Sequence, residues 1–293
     1  MSEIEVMTIF SMERLRHRYA ADRYIFVPGR EMISVLTTFG ANVEELNELQ
    51  SAWDQLADDP TLAYRRSRNG RFLIDFQGMS ASRLEQQGFR LSSDEDFVRH
   101  DSGTVRTFAP IMGDIQNLSI VQALFRFKAA LIKGLDIRPR PGLQPGQEQL
   151  VSTAFALRTI SGNGLIGEPA AEGVHSDGVE HTLTMLVNVN NLTGDSAIST
   201  LHFNEETTGI HTNKVDERWV AGRVRHSQPL DTLVIVDTER KHSLTQVKQQ
   251  VSDSLATRDM LILFTRRPCA PGHGSFAYDS LEPNMEHPLS FPL

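Results

Sequence analysis

Residues 172–178 read EGVHSDG, which places His175 and Asp177 two positions apart between Gly173 and Gly178. Side chains on one face of a strand recur at every second position, so both are expected to point to the same side of a sheet. The flanking glycines allow the backbone to bend at that point. A single His-x-Asp pair is common in surface loops, so the pair alone does not establish a metal site.

A second histidine completes a possible ligand set. Residues 237–245 read DTERKHSLT and contain His242, in a region rich in strand-like runs. Two imidazoles and a carboxylate can occupy one face of an octahedral metal and leave three positions open, as in non-haem Fe(II) oxygenases. We therefore predict that His175, Asp177 and His242 are the metal ligands and the catalytic centre. His181 is the main alternative, but no carboxylate near it makes a better triad, so we interpret it as structural or as a pocket wall.

An arginine opens the apolar run RDMLILF at residues 258–264. A guanidinium can hold a carboxylate through two parallel charge-assisted hydrogen bonds. Arg258 is therefore predicted to bind a dicarboxylate co-substrate, 2-oxoglutarate, although a solvated arginine at a strand end is the simpler alternative. Arg266 and Arg267, at the far end of the same run, rank below it.

Composition limits the class of protein. The chain has 293 residues, 40% of them hydrophobic and 23% charged, which is ordinary for a soluble globular protein. Its net charge of −8 is unfavourable for binding nucleic acid. Cys269 is the one cysteine, so an intrachain disulfide is excluded. No apolar stretch approaches the ~20 residues of a membrane span, and the first residues lack a secretory signal pattern. We expect a cytoplasmic protein with no membrane partner.

The pattern of apolar residues changes along the chain. Helical spacing in residues 31–57, interrupted at Gly40, predicts two helices, and residues 117–135 predict a third. A connector rich in proline and glycine follows at residues 138–146. Short strand-like runs are predicted at residues 71–76, 103–108, 151–159, 182–189, 199–203, 232–236, 242–249 and 260–265.

Many short strands with few helices indicate an antiparallel sandwich or barrel. We predict a single domain over residues 1–293. Within it, residues of about 1–148 form a supporting region of helices and strands, about 149–267 form the metal-binding core, and 268–293 form an irregular tail.

Other motifs give little support to other chemistries. Residues 162–167 read GNGLIG and match Gly-x-Gly-x-x-Gly, but Glu168 and Pro169 follow in place of a helical pattern. Dinucleotide binding needs a helix there, so we predict a loop. The sequence contains neither a Gly-x-Ser-x-Gly elbow nor a phosphate-binding loop.

Over about residues 55–267 the chain resembles bacterial Fe(II)/2-oxoglutarate-dependent dioxygenases of the group that contains the L-isoleucine 4-hydroxylase. That group commonly has two glycines where this chain has Gly194 and Asp195, a difference that affects a turn and not the metal site. The segments that carry the resemblance are 64–72 (YRRSRNGRF), 172–180 (EGVHSDGVE), 191–196 (NLTGDS), 237–242 (DTERKH) and 258–261 (RDML).

The resemblance implies a mainly β fold of the α+β class. It is a double-stranded β-helix, or distorted cupin-like jelly roll, with an N-terminal helical layer on one sheet. It implies that His175, Asp177 and His242 bind Fe(II), that Arg258 anchors 2-oxoglutarate, and that O2 is consumed, with ascorbate as an expected stimulant. The implied substrate is a small molecule, a free L-amino acid or a derivative, hydroxylated at an unactivated C–H with release of succinate and CO2. Related halogenases lack the carboxylate of Asp177, so hydroxylation is favoured, while desaturation and sulfoxidation stay open.

Two other kinds of protein remain as alternatives. One is a cupin-like metal enzyme that does not use 2-oxoglutarate, and the other is a non-catalytic β-sandwich binding protein. Arg71, Arg106 and Arg158 could each meet a substrate carboxylate, although a structural role is more common for such arginines. The oligomeric state is open, a homodimer being one option.

Overall fold

The computed structural model describes residues 3–92, 95, 102–146 and 148–293. Its α-helices in this part of the chain are α1 (Glu3–Asp22), α2 (Gly29–Thr38), α3 (Leu46–Ala52), α4 (Gly113–Gln116) and α5 (Ser119–Ile132). Its strands are β1 (Tyr24–Val27), β2 (Ala57–Asp58), β3 (Arg65–Asp75), β4 (Ser80–Leu84), β5 (Gln149–Ser161), β6 (His181–Asn190), β7 (Ile198–His202), β8 (Val220–Arg225), β9 (Thr232–Val236), β10 (Lys241–Leu244), β11 (Ala256–Arg266) and β12 (Ser290–Pro292).

The strands form two antiparallel sheets. The major sheet has the order β1-β9-β6-β11-β5-β3-β4-β12, with β2 paired to β3, and the minor sheet has the order β10-β7-β8. Leu201 of the minor sheet packs against Leu233 and Ile235 of the major sheet, so the two sheets share an interior. This arrangement is the predicted distorted jelly roll.

Each central strand of the major sheet presents different residues to its two faces. On β6, Leu183 and Met185 belong to the main hydrophobic core, whereas Thr182 and Thr184 line a cavity between the sheets. The same alternation holds on β11, where Leu261 and Leu263 are core residues and the even-numbered residues from Arg258 to Phe264 line the cavity. The strand period of two thus separates a structural face from a functional face.

The helices cover the structural face. Residues of α1, α2, α3 and α5, including Leu15, Met32, Leu49 and Phe125, share one core with the major sheet. The predicted break at Gly40 is confirmed, since α2 ends at Thr38 and Gly40 has a φ of +88°. Within the described residues, no helix combines the length and apolar character needed to cross a membrane.

Three elements differ from the sequence prediction. Residues 103–108 do not form a strand, because Arg106 alone makes a bridge, with Phe89. The predicted strand at 242–249 ends at Leu244. The C-terminal region is not wholly irregular, because β12 pairs with β4 and forms one edge of the major sheet.

Strands from both sides of the connector at residues 138–146 share the major sheet. β3, from before the connector, pairs with β5, which follows it, over eleven registered positions from Arg65 to Asp75. The supporting region and the core are therefore hydrogen-bonded to each other within one sheet. That residues 1–293 form a single domain stays a prediction.

Candidate active site

The three predicted metal ligands come together in the lining of the cavity. His175, Asp177 and His242 form a cluster whose ligand atoms all lie within 4.8 Å of one another. The Nε2 atoms of His175 and His242 each lie 3.5 Å from an oxygen of Asp177. All three side chains are buried. The cluster offers two imidazole nitrogens and one carboxylate to a single point, which is the donor set of a facial triad.

A pair of backbone hydrogen bonds brings the two histidines together. The N–H of each residue donates to the carbonyl of the other at 2.9 Å, which joins residues 172–178 to β10. The segment around His175 is a bent loop and not the strand that we expected. Gly173 and Gly178 adopt φ values of +79° and +76°, which favour glycine, and a Cβ on Gly173 would lie 2.4 Å from the carbonyl oxygen of Ile210.

A buried aspartate that the sequence analysis did not single out fixes this loop. Asp237 accepts hydrogen bonds from the backbone N–H groups of Asp177 (2.9 Å) and Val179 (3.2 Å), and its other contact is an ion pair with Arg140 (3.0 Å). Burial, together with the charge of Asp177, raises the pKa of Asp237 to about 7. Its position directly after the fully buried strand β9 was the available signal, because a polar residue there must satisfy hydrogen bonds in the interior.

The hydrogen bonds of the ligands also set their orientation. The Nδ1 atom of His175 lies 2.9 Å from the Gly173 carbonyl, which needs a proton on Nδ1 and leaves Nε2 as the nitrogen that can give up its proton to a metal. Thr182 donates its hydroxyl to Oδ2 of Asp177 at 2.6 Å. The ring of His242 packs beside that of His175, with centroids 4.3 Å apart.

The electrostatics of the cluster favour a positive charge. Burial lowers the pKa of His175, but Glu172 and Asp177 more than reverse this and bring the pKa to about 10. Burial raises the pKa of Asp177, yet the neighbouring imidazoles bring it to about 2, so this carboxylate is ionised. Burial lowers the pKa of His242 to about 4, which keeps its imidazole neutral, the form that binds metals.

The cavity beside the cluster is lined by residues of both sheets and has a volume of about 130 Å³. Its polar wall carries the cluster together with Glu172, Arg258 and hydroxyls that include Thr184 and Ser199. The rest of the lining is mainly apolar and rich in aromatic rings. The apolar lining comprises Phe89, Leu91, Phe108, Phe155, Leu157, Leu233, Ile235, Leu244, Met260, Ile262 and Phe264.

Arg258 is a buried cation without a carboxylate partner among the residues that the structure describes. It is 4% exposed, and its Nε atom makes no hydrogen bond. Burial, with a smaller effect of Arg225, lowers the pKa of Arg258 to about 10. The two competing arginines of the same region differ, because Arg266 is paired with Asp279 (2.8 Å) and Arg267 with Glu180 (2.7 Å). The geometry therefore favours Arg258 over its competitors as an anion-binding residue.

The three arginines considered for a substrate carboxylate have different surroundings. Arg71 and Arg158 lie outside the walls of the cavity and form ion pairs of 2.8 Å and 2.7 Å with the buried aspartates Asp279 and Asp259. Arg106 lines the cavity, with its guanidinium 5.1 Å from the ring centre of Phe89. Arg65, which was not considered, also lines the cavity and is paired with Asp59 at 2.7 Å.

His181 lies on the structural face of β6, away from the cluster. Its Nδ1 atom is 2.8 Å from the hydroxyl of Tyr19 on α1, and burial lowers its pKa to about 3. This contact ties the helical layer to the sheet, in agreement with the structural interpretation of His181.

Comparisons with known proteins agree with this geometry. The family model described as 2OG-Fe dioxygenase matches residues 50–264. A curated relative, the bifunctional enzyme flvA of Aspergillus flavus, is 38% identical over 283 residues, which cover 97% of this chain and 34% of that protein. The chain thus spans about a third of the length of this relative.

Two solved structures are also similar to this chain. The Fe(II)/α-ketoglutarate-dependent dioxygenase TqaL is 36% identical and superposes with a TM-score of 0.84, covering 99% of this chain and 98% of that one. IDO from Bacillus thuringiensis, at 16% identity and a TM-score of 0.65 over 87% of this chain and 99% of that one, shares the fold.

The chain belongs to the 2OG-Fe dioxygenase family. It is an oxidoreductase that uses Fe(II), 2-oxoglutarate and O2, and its jelly-roll fold is the one predicted. Family membership disfavours both alternatives, the metal enzyme without 2-oxoglutarate and the non-catalytic binding protein. A closer relationship to the bacterial isoleucine 4-hydroxylase group stays a prediction.

Proposed function

We propose that His175, Asp177 and His242 hold the Fe(II), that Arg258 binds the distal carboxylate of 2-oxoglutarate, and that the enzyme hydroxylates an unactivated C–H of a free L-amino acid or a close derivative. The observation that carries the proposal is that a buried two-histidine, one-carboxylate cluster and a buried guanidinium without a carboxylate partner line the same cavity.

The cluster suits an iron ion in its chemistry and its charge. The ionised carboxylate of Asp177 and the two imidazoles are ligands that Fe(II) accepts, and they leave further coordination positions free for small molecules. A bound cation would also take the place of the positive charge that the two neighbouring acids favour at His175. When bound, the iron and 2-oxoglutarate supply the oxidising chemistry, in which O2 is consumed and succinate and CO2 are released.

The protein's own residues would orient the reactants and keep water away. The bridge between His175 and His242 and the backbone hydrogen bonds that Asp237 accepts fix the ligands before anything binds. Arg258 would place the co-substrate by its far end, so that its keto acid end faces the ligands. The aromatic and aliphatic wall would exclude water and pack against an apolar part of the substrate.

The size and lining of the cavity support a small substrate. A cavity of about 130 Å³ is on the scale of small molecules and is too small for a folded partner. Arg106, the one of the three considered arginines that reaches the cavity, is the residue that we assign to a substrate carboxylate. A carboxylate contact of this kind is compatible with an amino acid.

The proposal is tested by a succinate and product-mass assay. The protein is incubated with Fe(II), 2-oxoglutarate, ascorbate and O2 and a panel of free L-amino acids. We expect substrate-dependent succinate and a product one oxygen heavier, and we expect both to be absent in Asp177→Ala. Succinate without a modified amino acid would overturn the substrate class and keep the oxygenase. Full activity of Asp177→Ala would overturn the assignment of the metal ligands.

A further inference from the structure

Glu172 is an acidic residue in the cavity that neither the metal cluster nor the co-substrate site explains. Its side chain is 10% exposed, and Oε1 lies 3.3 Å from Nε2 of His175. This is its one polar side-chain contact within the described residues. Glu172 is not a member of the cluster whose ligand atoms all lie within 4.8 Å of one another, so it stands beside the metal position and outside the ligand set.

Binding of the metal would remove this contact. The Nδ1 proton of His175 is committed to the Gly173 carbonyl, so a metal on Nε2 leaves the imidazole with no proton to donate to Glu172. A largely buried carboxylate would then face the cavity without a donor. Burying an ionised carboxylate destabilises the folded protein unless a cation or a hydrogen-bond donor contacts it.

The arginines that line the cavity do not form an ion pair with Glu172. Arg258 and Arg65 also line the cavity, but neither forms an ion pair with Glu172, and Arg65 is paired with Asp59. Arg106 stacks on Phe89 at a ring-centre distance of 5.1 Å and likewise forms no ion pair with Glu172. The cavity of the metal-loaded protein therefore presents an acidic group beside the reaction centre and needs a positive charge from the substrate.

We propose that Glu172 binds a protonated amine of the substrate and thereby determines which molecules enter. The inference rests on the proposed function, since it requires that His175 holds the metal. It assigns the substrate amine to the side of the cavity next to His175 and a substrate carboxylate to Arg106. The C–H that reacts would then lie between these two contacts and the apolar wall.

The test compares Glu172→Gln with the wild type on matched compounds. The compounds are the L-amino acid that most stimulates succinate formation and the carboxylic acid that lacks only its amino group. Glu205→Gln, an exposed carboxylate outside the cavity, is the control for loss of one negative charge. Iron content and anaerobic 2-oxoglutarate binding are measured for every protein.

We expect Glu172→Gln to retain iron and 2-oxoglutarate. We also expect it to lose about 10- to 100-fold in kcat/KM for the amino acid, mainly through KM, since a charge-assisted hydrogen bond is replaced by a neutral one. Its kcat/KM for the amine-free acid should not fall, and Glu205→Gln should match the wild type.

Three results would overturn the inference. Loss of iron in Glu172→Gln would make Glu172 a metal ligand, and an equal loss on both compounds would make it structural. A wild type that turns over the amine-free acid as well as the amino acid would remove the need for an amine site, while the oxygenase stands. If the wild type binds neither iron nor 2-oxoglutarate, the proposed function fails and the inference fails with it, a result that the binding measurements separate from the other three.

Discussion

Replacement of Arg258 by methionine should stabilise the protein without its co-substrate and remove most of the stabilisation that the co-substrate provides. Arg258 is buried and has no carboxylate partner within the described part of the chain, so the charge of its guanidinium lowers the free energy of unfolding. That effect is visible in its pKa, which burial lowers to about 10. Each pKa unit corresponds to about 1.4 kcal/mol, so the charge costs about 3 kcal/mol relative to the unfolded chain.

Without 2-oxoglutarate, Arg258→Met should therefore raise the free energy of unfolding. Methionine keeps most of the apolar volume of the arginine stem and removes the buried charge. Some packing is lost, so we expect a gain of about 1–3 kcal/mol, within the range found when buried charges are replaced by apolar residues.

With 2-oxoglutarate the advantage of the variant should fall by about 2.3 kcal/mol, because the wild type gains about 2.7 kcal/mol from the ligand and the variant about 0.4 kcal/mol. A ligand present at 100 times its Kd stabilises the folded state by about 2.7 kcal/mol. Loss of two charge-assisted hydrogen bonds should raise the Kd of 2-oxoglutarate by about 100-fold in the variant, which removes nearly all of that stabilisation. Urea unfolding of the Mn(II)-loaded protein, with and without 2-oxoglutarate and under nitrogen, measures both effects.

Arg266→Met is the matched control on the same strand. Arg266 is paired with Asp279 at 2.8 Å, so its removal leaves a buried carboxylate with Arg71 as its remaining ionic partner. We expect a loss toward the lower end of about 3–5 kcal/mol and an unchanged response to 2-oxoglutarate. If Arg258→Met is as destabilised as Arg266→Met and keeps its response to 2-oxoglutarate, the anion-binding role of Arg258 is wrong.

Three further predictions concern the metal cluster and the buried histidines. Asp177→Ala should lose nearly all bound iron by elemental analysis while its far-UV circular dichroism is unchanged, and retention of one equivalent would contradict its role as a ligand. Asp237→Asn, which weakens the support of the Asp177 backbone, should reduce Fe(II) affinity by about 10- to 100-fold in a chelator competition, and an unchanged affinity would show that this support is dispensable. The Nε2 atom of His226 donates toward the carbonyl oxygen of Thr184, and burial lowers the pKa of His226 to about 3. The neutral imidazole therefore stabilises the folded protein above the unfolded pKa of about 6.5, and this stabilisation is lost as the pH falls. Between pH 7 and pH 5 the wild type should lose about 2 kcal/mol of unfolding free energy through this group, and urea unfolding of His226→Asn should show a smaller loss. An equal pH dependence in both proteins would assign the effect to other groups.

The fold could be predicted where local pattern and burial agree. Residues 232–236 are five consecutive apolar or β-branched residues, and they form β9, which is buried along its whole length. Residues 117–135 carry a helical apolar stripe and contain α5. Residues 103–108 include three β-branched residues, against four of the five in β9, and form no strand, because the bridge between Arg106 and Phe89 is isolated. Pairing partners lie far away in sequence, so local composition does not reveal them.

The proximity of His175, Asp177 and His242 could be predicted from the sequence, although not for the reason given. The alternation rule placed His175 and Asp177 on one face of a strand, whereas the structure brings them together through a bend at two glycines. The sequence ranked Arg258 above Arg266 by position alone and did not reveal the ion pair that separates them. The partner that neutralises Arg266 is Asp279, which lies in the C-terminal region that was expected to be irregular.

The residues that the sequence analysis missed act through the backbone or through a neighbour. Asp237 supports the Asp177 and Val179 amides, and Glu172 contacts the imidazole of His175, so neither belongs to a recognisable spacing of ligands. Because backbone hydrogen bonds between His175 and His242 and the hydrogen bonds to Asp237 hold the loop, the positions of the ligands depend little on the ligand side chains themselves. A change at a ligand should then abolish metal binding without unfolding the loop, whereas a change at Asp237 should loosen the loop and weaken metal binding indirectly.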